Sequence, residues 1–202
     1  MKITAVVGSY HRGGMIESAV DELLEAAHSR GAEVYKVNLL DARIEFCDNC
    51  QACTQGAGIG RGRCPLDDDM PAILDRLEAS DAIVLASPMN FFTTTALMKR
   101  FIERLLCYVA WPFGIALPRP RSKPTGKTAV LIVTSAAPGL LAQYFTGIGR
   151  LLKTAARLLG ASKVRMLYLG LSRHEPGRTL GARNRQKARA LGQWLGDRKP
   201  QS

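Results

Sequence analysis

Four of the chain's five cysteines crowd into "CDNCQACTQGAGIGRGRC". Cys47, Cys50 and Cys53 stand at C-x2-C-x2-C spacing, and Cys64 follows after ten intervening residues. Thiolates are soft ligands, so this set has three chemical uses. It can close around a [4Fe–4S] cubane, the tight repeat wrapping one corner and the distant fourth sulfur completing it. It can hold structural zinc, although the two separated C-x2-C knuckles of a zinc ribbon are absent. It can also serve without metal, as packing or redox thiols. The glycine-rich "TQGAGIGRGR" provides the return path to Cys64.

A second stretch, "GSYHRGG", suits an anion. A glycine turn that feeds a helix offers unpaired N–H groups and the positive end of the helix dipole. Ser9 adds a hydroxyl, and His11 and Arg12 add donors. The pattern is not G-x-G-x-x-G, so the dinucleotide fingerprint does not apply. Two more polar segments, "SPMNFF" and "TSAAPG", also follow apolar runs. No catalytic triad or paired carboxylates accompany these loops. Asp67, Asp68 and Asp69 read as a helix start rather than a metal site.

The elements that must carry these loops alternate between strand-like and helix-like periods. "ITAVVG" is a buried strand, and Ile16, Ala19, Val20, Leu23, Leu24 and Ala27 trace one face of a helix. Tyr35, Val37 and Leu39 give a second strand. Met70, Ile73, Leu74 and Leu77 mark the next helix, "DAIVLASP" a third strand, and Leu97 to Leu105 a helix after it. "TAVLIVTS" and "KVRMLYLG" are the last two strands. Helices over Leu140 to Leu159 and Thr179 to Leu195 complete the pattern. Parallel strands need crossovers of this length, which predicts a doubly wound α/β sandwich with a five-stranded parallel sheet. The 202 residues read as a single domain, 1–202, with a cysteine loop over 41–66 and a Pro-rich basic insertion over about 107–126. In such sheets ligands lie beyond the carboxyl ends of the strands, where the strand order reverses. All three polar loops fall there.

The net charge of +11 concentrates in two places, +4 between Trp111 and Lys127 and +6 between Arg173 and Lys199. One reading is an electropositive mouth for anions such as pyridine nucleotides; the other is two solvated surface segments. Neither stretch has a zinc-finger, RNA-recognition or helix-turn-helix pattern, so no nucleic-acid partner is expected. No apolar run reaches the roughly 18 residues of a membrane span. The N-terminus lacks a signal-peptide pattern. A cytoplasmic protein with reduced thiols is the expectation. Cys107 reads as a buried hydrophobe, and His28 and His174 as surface residues.

"GSYHRGG", "CDNCQAC…C…DDDM" and "ASDAIVLASPMNFFTTTALMKRFIER" together resemble the flavodoxin-like, NAD(P)H-dependent FMN reductases and their iron–sulfur flavoprotein branch. The likeness runs from Lys2 to about Leu106 and more loosely through Gly139. It implies strand order 2-1-3-4-5. It places the FMN phosphate against Ser9, His11 and Arg12 and the amides of Gly14, Met15 and Ile16. The flavin ring would lie along Pro88, Met89, Asn90, Phe91 and Phe92, with Ser135 to Gly139 on the other rim. Family loops run on as glycine-asparagine-threonine, whereas here the residues are Gly14, Met15 and Ile16. Asn90 replaces the usual tyrosine. The implied activity passes hydride from NADH or NADPH to flavin N5 and on to a small-molecule electron acceptor. The alternatives are an electron carrier that pairs flavin with a [4Fe–4S] cluster on Cys47, Cys50, Cys53 and Cys64 and exchanges electrons with a ferredoxin, or a flavin-free redox or metal-sensing protein. The resemblance also implies a homodimer or homotetramer.

Overall fold

The computed structural model describes residues 1–56, 58, 60–135, 146–170 and 180–198. Five parallel strands form its centre: β1 (Lys2–Val7), β2 (Glu33–Asn38), β3 (Ala82–Asn90), β7 (Lys127–Thr134) and β8 (Ala161–Leu169). Their order is β2-β1-β3-β7-β8, the 2-1-3-4-5 order implied by the resemblance. The inner strands are buried on both faces, which explains their continuous apolar runs.

Strand alternation divides the core in two. Ile3, Ala5 and Val7 of β1, Val84 of β3 and Val130 and Ile132 of β7 face α1 (Met15–His28) and α6 (Ala182–Gly196). Val6, Ile83, Leu85, Leu131 and Val133 face the opposite layer, made by α3 (Met70–Glu78), α4 (Ala96–Glu103) and α5 (Ile148–Leu158). α1 and α6 pack so closely that a Cβ on Gly192 would overlap the Leu23 carbonyl. Among the described residues no helix is long and apolar enough to cross a membrane.

Several local expectations are corrected. β3 does not stop at Pro88 but runs on to Asn90 and folds back as β4 (Thr93–Thr94). The helix after it ends at Glu103, and Arg104–Tyr108 tightens into a 3-10 turn. Within the insertion, β5 (Val109–Ala110) pairs with β6 (Arg119–Pro120). A short helix, α2 (Ala52–Gln55), breaks the cysteine loop. The helix expected from Leu140 is described only from Ile148, and His174 lies outside the described residues.

The C-terminal basic segment is partly neutralised within the fold. Arg185 and Arg189 of α6 pair with Glu22, Arg30 pairs with Asp197, and Arg165 and Arg198 stack on Trp194 at 3.7 and 4.9 Å. These contacts favour the solvated-surface reading of that stretch over a mouth for anions.

Candidate functional site

Parallel register brings the first two polar loops together. Val7 stands beside Ala86, and Gly8 N donates to the Ala86 carbonyl at 2.8 Å. Ser87 and Pro88 stand beside Val133 and Thr134, so the end of β7 lies on the same rim. Ser135 follows it, buried, with its amide on the Leu169 carbonyl at 3.2 Å. Gly139 lies outside the described residues.

The first loop forms an anion cradle from backbone. Gly14 caps α1 in extended conformation and no side chain caps the helix, so the first-turn amides at Met15 and Ile16 are not satisfied by a cap. Gly13 takes φ +64°, a turn that glycine makes without steric cost. Ser9 Oγ donates to the His11 carbonyl and accepts from the His11 amide, both at 3.2 Å, which fixes the hydroxyl at the loop base. His11 is exposed. Arg12 pairs with Asp41, both side chains exposed.

Glu17, which the sequence pattern did not single out, holds this loop from behind. Its carboxylate accepts from Gly13 N at 2.6 Å and from Lys36 Nζ and Asn38 Nδ2 at 3.2 Å each. Burial pushes the carboxyl upward, but the Gly13 amide, Lys36 and Asn38 outweigh it and hold Glu17 below the usual carboxylate range. Three donors on one buried acid fasten the loop to β2.

The second loop is a hairpin with an unusual turn. Met89 pairs with Thr94 and Asn90 with Thr93, leaving Phe91 and Phe92 as a two-residue turn at φ 48° and 62°. Left-handed φ at both positions is normally the place of Asn-Gly. Here it lifts two aromatic rings clear of the surface, 98% and 71% exposed. The hairpin base is buried and tied down. Thr95 N donates to Ser87 Oγ at 3.2 Å, and Thr95 Oγ1 donates to the Gly8 carbonyl at 2.6 Å. Thr95 also caps α4 by accepting from Met98 N. The run "TTTALMKRF" carries that cap signal, a threonine just before an amphipathic period. Beside it, Thr94 Oγ1 is buried with no hydrogen-bond partner among the described residues. A cradle of uncapped amides, an orphaned hydroxyl and two presented aromatic rings fit a phosphorylated ligand with a flat ring.

The cysteine loop lies against the 3-10 turn and the insertion. All five thiols are free; Cys50 is exposed, Cys47 and Cys64 are half-buried, and Cys53 and Cys107 are buried. Asn49 and Gln51 take left-handed φ of 56° and 61°, curling the chain between the first three cysteines. A Cβ on Gly62 would overlap the Cys53 carbonyl oxygen, so only glycine lets the return arm reach α2. Arg121 clamps the loop from outside, with Nη2 on the Cys53 carbonyl at 2.9 Å and Nη1 on the Gly56 carbonyl. Burial raises the Cys53 pKa, and Cys64, Cys47 and Cys50 add to it. Among the described residues no three His, Cys, Asp or Glu side chains converge into a ready metal site. The four free thiols have the chemistry of thiolate ligands, but in this structure they are not gathered around one point.

Arg104 ties this loop to the scaffold. Its neighbours Lys99 and Glu103 pair with each other at the surface, at 2.7 Å. Arg104 is buried and pairs with the buried Asp68 carboxylate. The aspartate run therefore does more than start α3. Asp68 also accepts from Met70 N at 3.0 Å and Glu45 N at 2.8 Å, while Asp69 accepts from Arg43 N at 2.7 Å.

Comparison with known proteins gives the family and the fold. The family model described as NADPH-dependent FMN reductase matches residues 1–146. An iron–sulfur flavoprotein of Archaeoglobus fulgidus is 33% identical over 153 residues, covering 76% of this chain and 63% of that protein. An iron–sulfur flavoprotein of Methanosarcina thermophila is 32% identical over 104 residues, 52% of each chain. The chain thus spans between about half and three fifths of the length of these curated relatives. Among solved structures, an NAD(P)H:quinone oxidoreductase from Methanothermobacter marburgensis superposes with a TM-score of 0.73 at 19% identity, over 96% of this chain and 98% of that one. An FMN-dependent NADH-azoreductase from Bacillus anthracis, in complex with FMN, gives 0.70 at 13% identity, over 98% and 100%. These two likenesses speak to the fold.

Proposed function

The chain belongs to the NADPH-dependent FMN reductase family, and from that premise we propose that it binds FMN between the β1 and β3 loops and works as an FMN-dependent oxidoreductase. The observation that carries this reading is the joining of the uncapped α1 terminus to the aromatic hairpin through the Thr95–Gly8 bond. Bound FMN supplies the hydride and electron chemistry, with NADH or NADPH as donor and a small molecule as acceptor.

The chain's own residues bind and orient. The amides at Met15 and Ile16 meet the phosphate, with Ser9 and His11 at its edge and the positive dipole end of α1 behind them. Ile16 offers no hydroxyl there, so backbone provides most of the hold. Glu17 keeps Gly13 in place, and Lys36 balances its charge. Asn90 to Phe92 present backbone N–H groups, and Phe91 and Phe92 two aromatic rings, to the flat part of the ligand, with Pro88 and Met89 beside them. Donors aimed at the edge of that ring stabilise negative charge that grows on it during reduction. Ser135 borders the opposite rim.

As a second role, the four-cysteine loop and the iron–sulfur flavoproteins among the relatives support a [4Fe–4S] group that Cys47, Cys50, Cys53 and Cys64 would hold. It would make the protein an electron carrier that trades single electrons with a ferredoxin. Free thiols suit a reducing compartment such as the cytoplasm. A homodimer or homotetramer would cover the exposed aromatic hairpin.

The test is a titration of purified, flavin-free chain with FMN, followed by flavin fluorescence, and then anaerobic addition of NADPH or NADH with a quinone acceptor. Quenching with saturation and nucleotide-dependent bleaching are the expected results. A chain that leaves FMN fluorescence unchanged at high concentration would sink the reading. Iron and sulfide content after anaerobic reconstitution decides the second role.

A further inference from the structure

The insertion ends in an apolar tip that the fold displays rather than buries. β5 and β6 pair antiparallel, so residues 111–118 form the end of a hairpin. Trp111, Phe113, Ile115 and Leu117, at every second position, are 37%, 79%, 49% and 73% exposed. The backbone that carries them is fastened. Ile115 N donates to the Pro112 carbonyl at 3.1 Å, and Trp111 Nε1 donates to the Ile115 carbonyl at 2.8 Å. Trp111 N donates to the Thr54 carbonyl at 2.9 Å and Phe113 N to Gln55 Oε1 at 3.0 Å, which ties the tip to α2. Four large apolar side chains held together on an ordered tip mark an interaction site rather than scattered surface exposure.

The chain that follows is basic without relief. No Asp or Glu stands between Glu103 and Glu175. Arg119 closes the hairpin and Lys123 comes after it; both are exposed, and neither has an ion-pair partner among the described residues. Thr125 N donates to the Gly160 carbonyl at 3.0 Å, which seats the end of the insertion beside the end of α5. The outer face of α5 adds exposed Arg150, Lys153 and Arg157 at i, i+3 and i+7.

We propose that the Trp111–Leu117 tip and its flanking cations dock the protein peripherally on an anionic lipid bilayer. The apolar side chains enter the acyl boundary while Arg119 and Lys123 stay among the headgroup phosphates, the combination that interfacial segments use. A second copy is the poorer occupant, because a two-fold contact sets each cation of this face near its own twin. Nucleic acid is poorer too, since bases stack on aromatic rings and have no use for Ile115 and Leu117. This docking needs neither FMN nor a metal at the cysteines.

The experiment co-sediments the full chain, at about 0.15 M salt, with vesicles of equal parts phosphatidylglycerol and phosphatidylcholine, and with vesicles of phosphatidylcholine alone. Two variants are compared with the unaltered chain. Phe113→Ser with Leu117→Ser removes apolar surface, and Arg119→Gln with Lys123→Gln removes two charges. All four side chains are exposed, so the thermal midpoint of each variant should stay within a few degrees of the parent. The unaltered chain is expected to bind the mixed vesicles and to bind phosphatidylcholine far more weakly. The apolar variant should lose at least tenfold in affinity, and the charge variant about 25-fold, at about fivefold for each cation near an anionic surface. No binding to the mixed vesicles overturns the inference. Binding that the apolar variant leaves unchanged also overturns it, since the tip then stays out of the bilayer. Equal binding to both kinds of vesicle removes the role of the cations and overturns it likewise. Self-association through the tip without vesicle binding, or tighter binding to a single-stranded oligonucleotide than to vesicles, assigns the surface to another partner and overturns it as well.

Discussion

Thr95 Oγ1 donates to the Gly8 carbonyl at 2.6 Å, across 87 residues of sequence, while accepting from Met98 N at 3.2 Å. One hydroxyl therefore fixes where the β1 loop ends and where α4 begins. Thr95→Val keeps the shape and removes both bonds. Each buried group left without a partner costs about 1–3 kcal/mol. Urea unfolding should show a loss in that range or above it, and FMN affinity should fall several-fold as the loops drift apart. Thr95→Ser should restore most of both. Equal stability of the valine variant would contradict the assignment.

Phe91 and Phe92 store strain in the hairpin. Left-handed conformation costs roughly 1–2 kcal/mol per L-residue, and Asn-Gly is the pair that adopts this turn readily. Phe91→Asn with Phe92→Gly is expected to raise the stability of the flavin-free chain by about 1–3 kcal/mol, read from its thermal midpoint. FMN binding should weaken, because the aromatic surface is gone. A variant that is both less stable and equally good at binding FMN would show that the rings serve packing alone.

How much of this was legible in the sequence follows from what kind of signal each part leaves. The order of strands and helices could be read, because burial on both faces writes unbroken apolar runs such as Ile83 to Ala86, and amphipathic helices write a 3.6-residue period. The three loops at the strand ends followed from topology. The hairpin did not, because Phe-Phe is the opposite of a two-residue turn signal, and its conformation is set by the buried base at Ser87 and Thr95. Arg104 directly follows the exposed Lys99–Glu103 pair, so nothing local marks it as buried, yet the 3-10 turn starting at Arg104 rotates it inward. Glu17 was hidden for a similar reason. Its partners Lys36 and Asn38 come from β2, and no local pattern records a partner that distant.

Gly62 is the close-approach point of the cysteine loop. Gly62→Ala would drive a methyl group into the Cys53 carbonyl and push the return arm, with Cys64, away from α2. The thiols of Cys53 and Cys64 should then react with a disulfide reagent at least several-fold faster, while the sheet keeps its unfolding midpoint within a few degrees. Iron uptake on reconstitution should fall in parallel. Unaltered thiol rates in the alanine variant would mean that the arm tolerates the shift.

Cys107 belongs to the core rather than to the reactive set. Burial pushes its thiol up to about 12. At pH 8 that leaves on the order of one thiolate in ten thousand, and thiolate is the attacking form. Iodoacetamide should label Cys50 in the native chain and reach Cys107 only after denaturant is added. Peptide mapping by mass spectrometry checks this, and early labelling at Cys107 would show that the 3-10 turn opens readily.

Asp68 should make part of the fold's stability depend on acid. Burial works to raise its pKa, but the hydrogen bonds from Arg104 and from the Glu45 and Met70 amides, with the Arg104 charge, more than offset it and lower the folded value. In the unfolded chain the carboxyl titrates near 3.9. The stabilisation is therefore complete above about pH 4 and is lost as pH falls through the lower folded value. Glu17, also held low, contributes in the same direction. Asp68→Asn leaves the Arg104 charge buried without its partner and should cost about 3–5 kcal/mol at pH 7. The gap between variant and parent should then narrow between about pH 4 and pH 2, because the parent loses the same interaction by protonation. Urea unfolding at pH 7, 4 and 2.5 measures it. Stabilities that decline in parallel over that interval would place the acid sensitivity elsewhere in the fold.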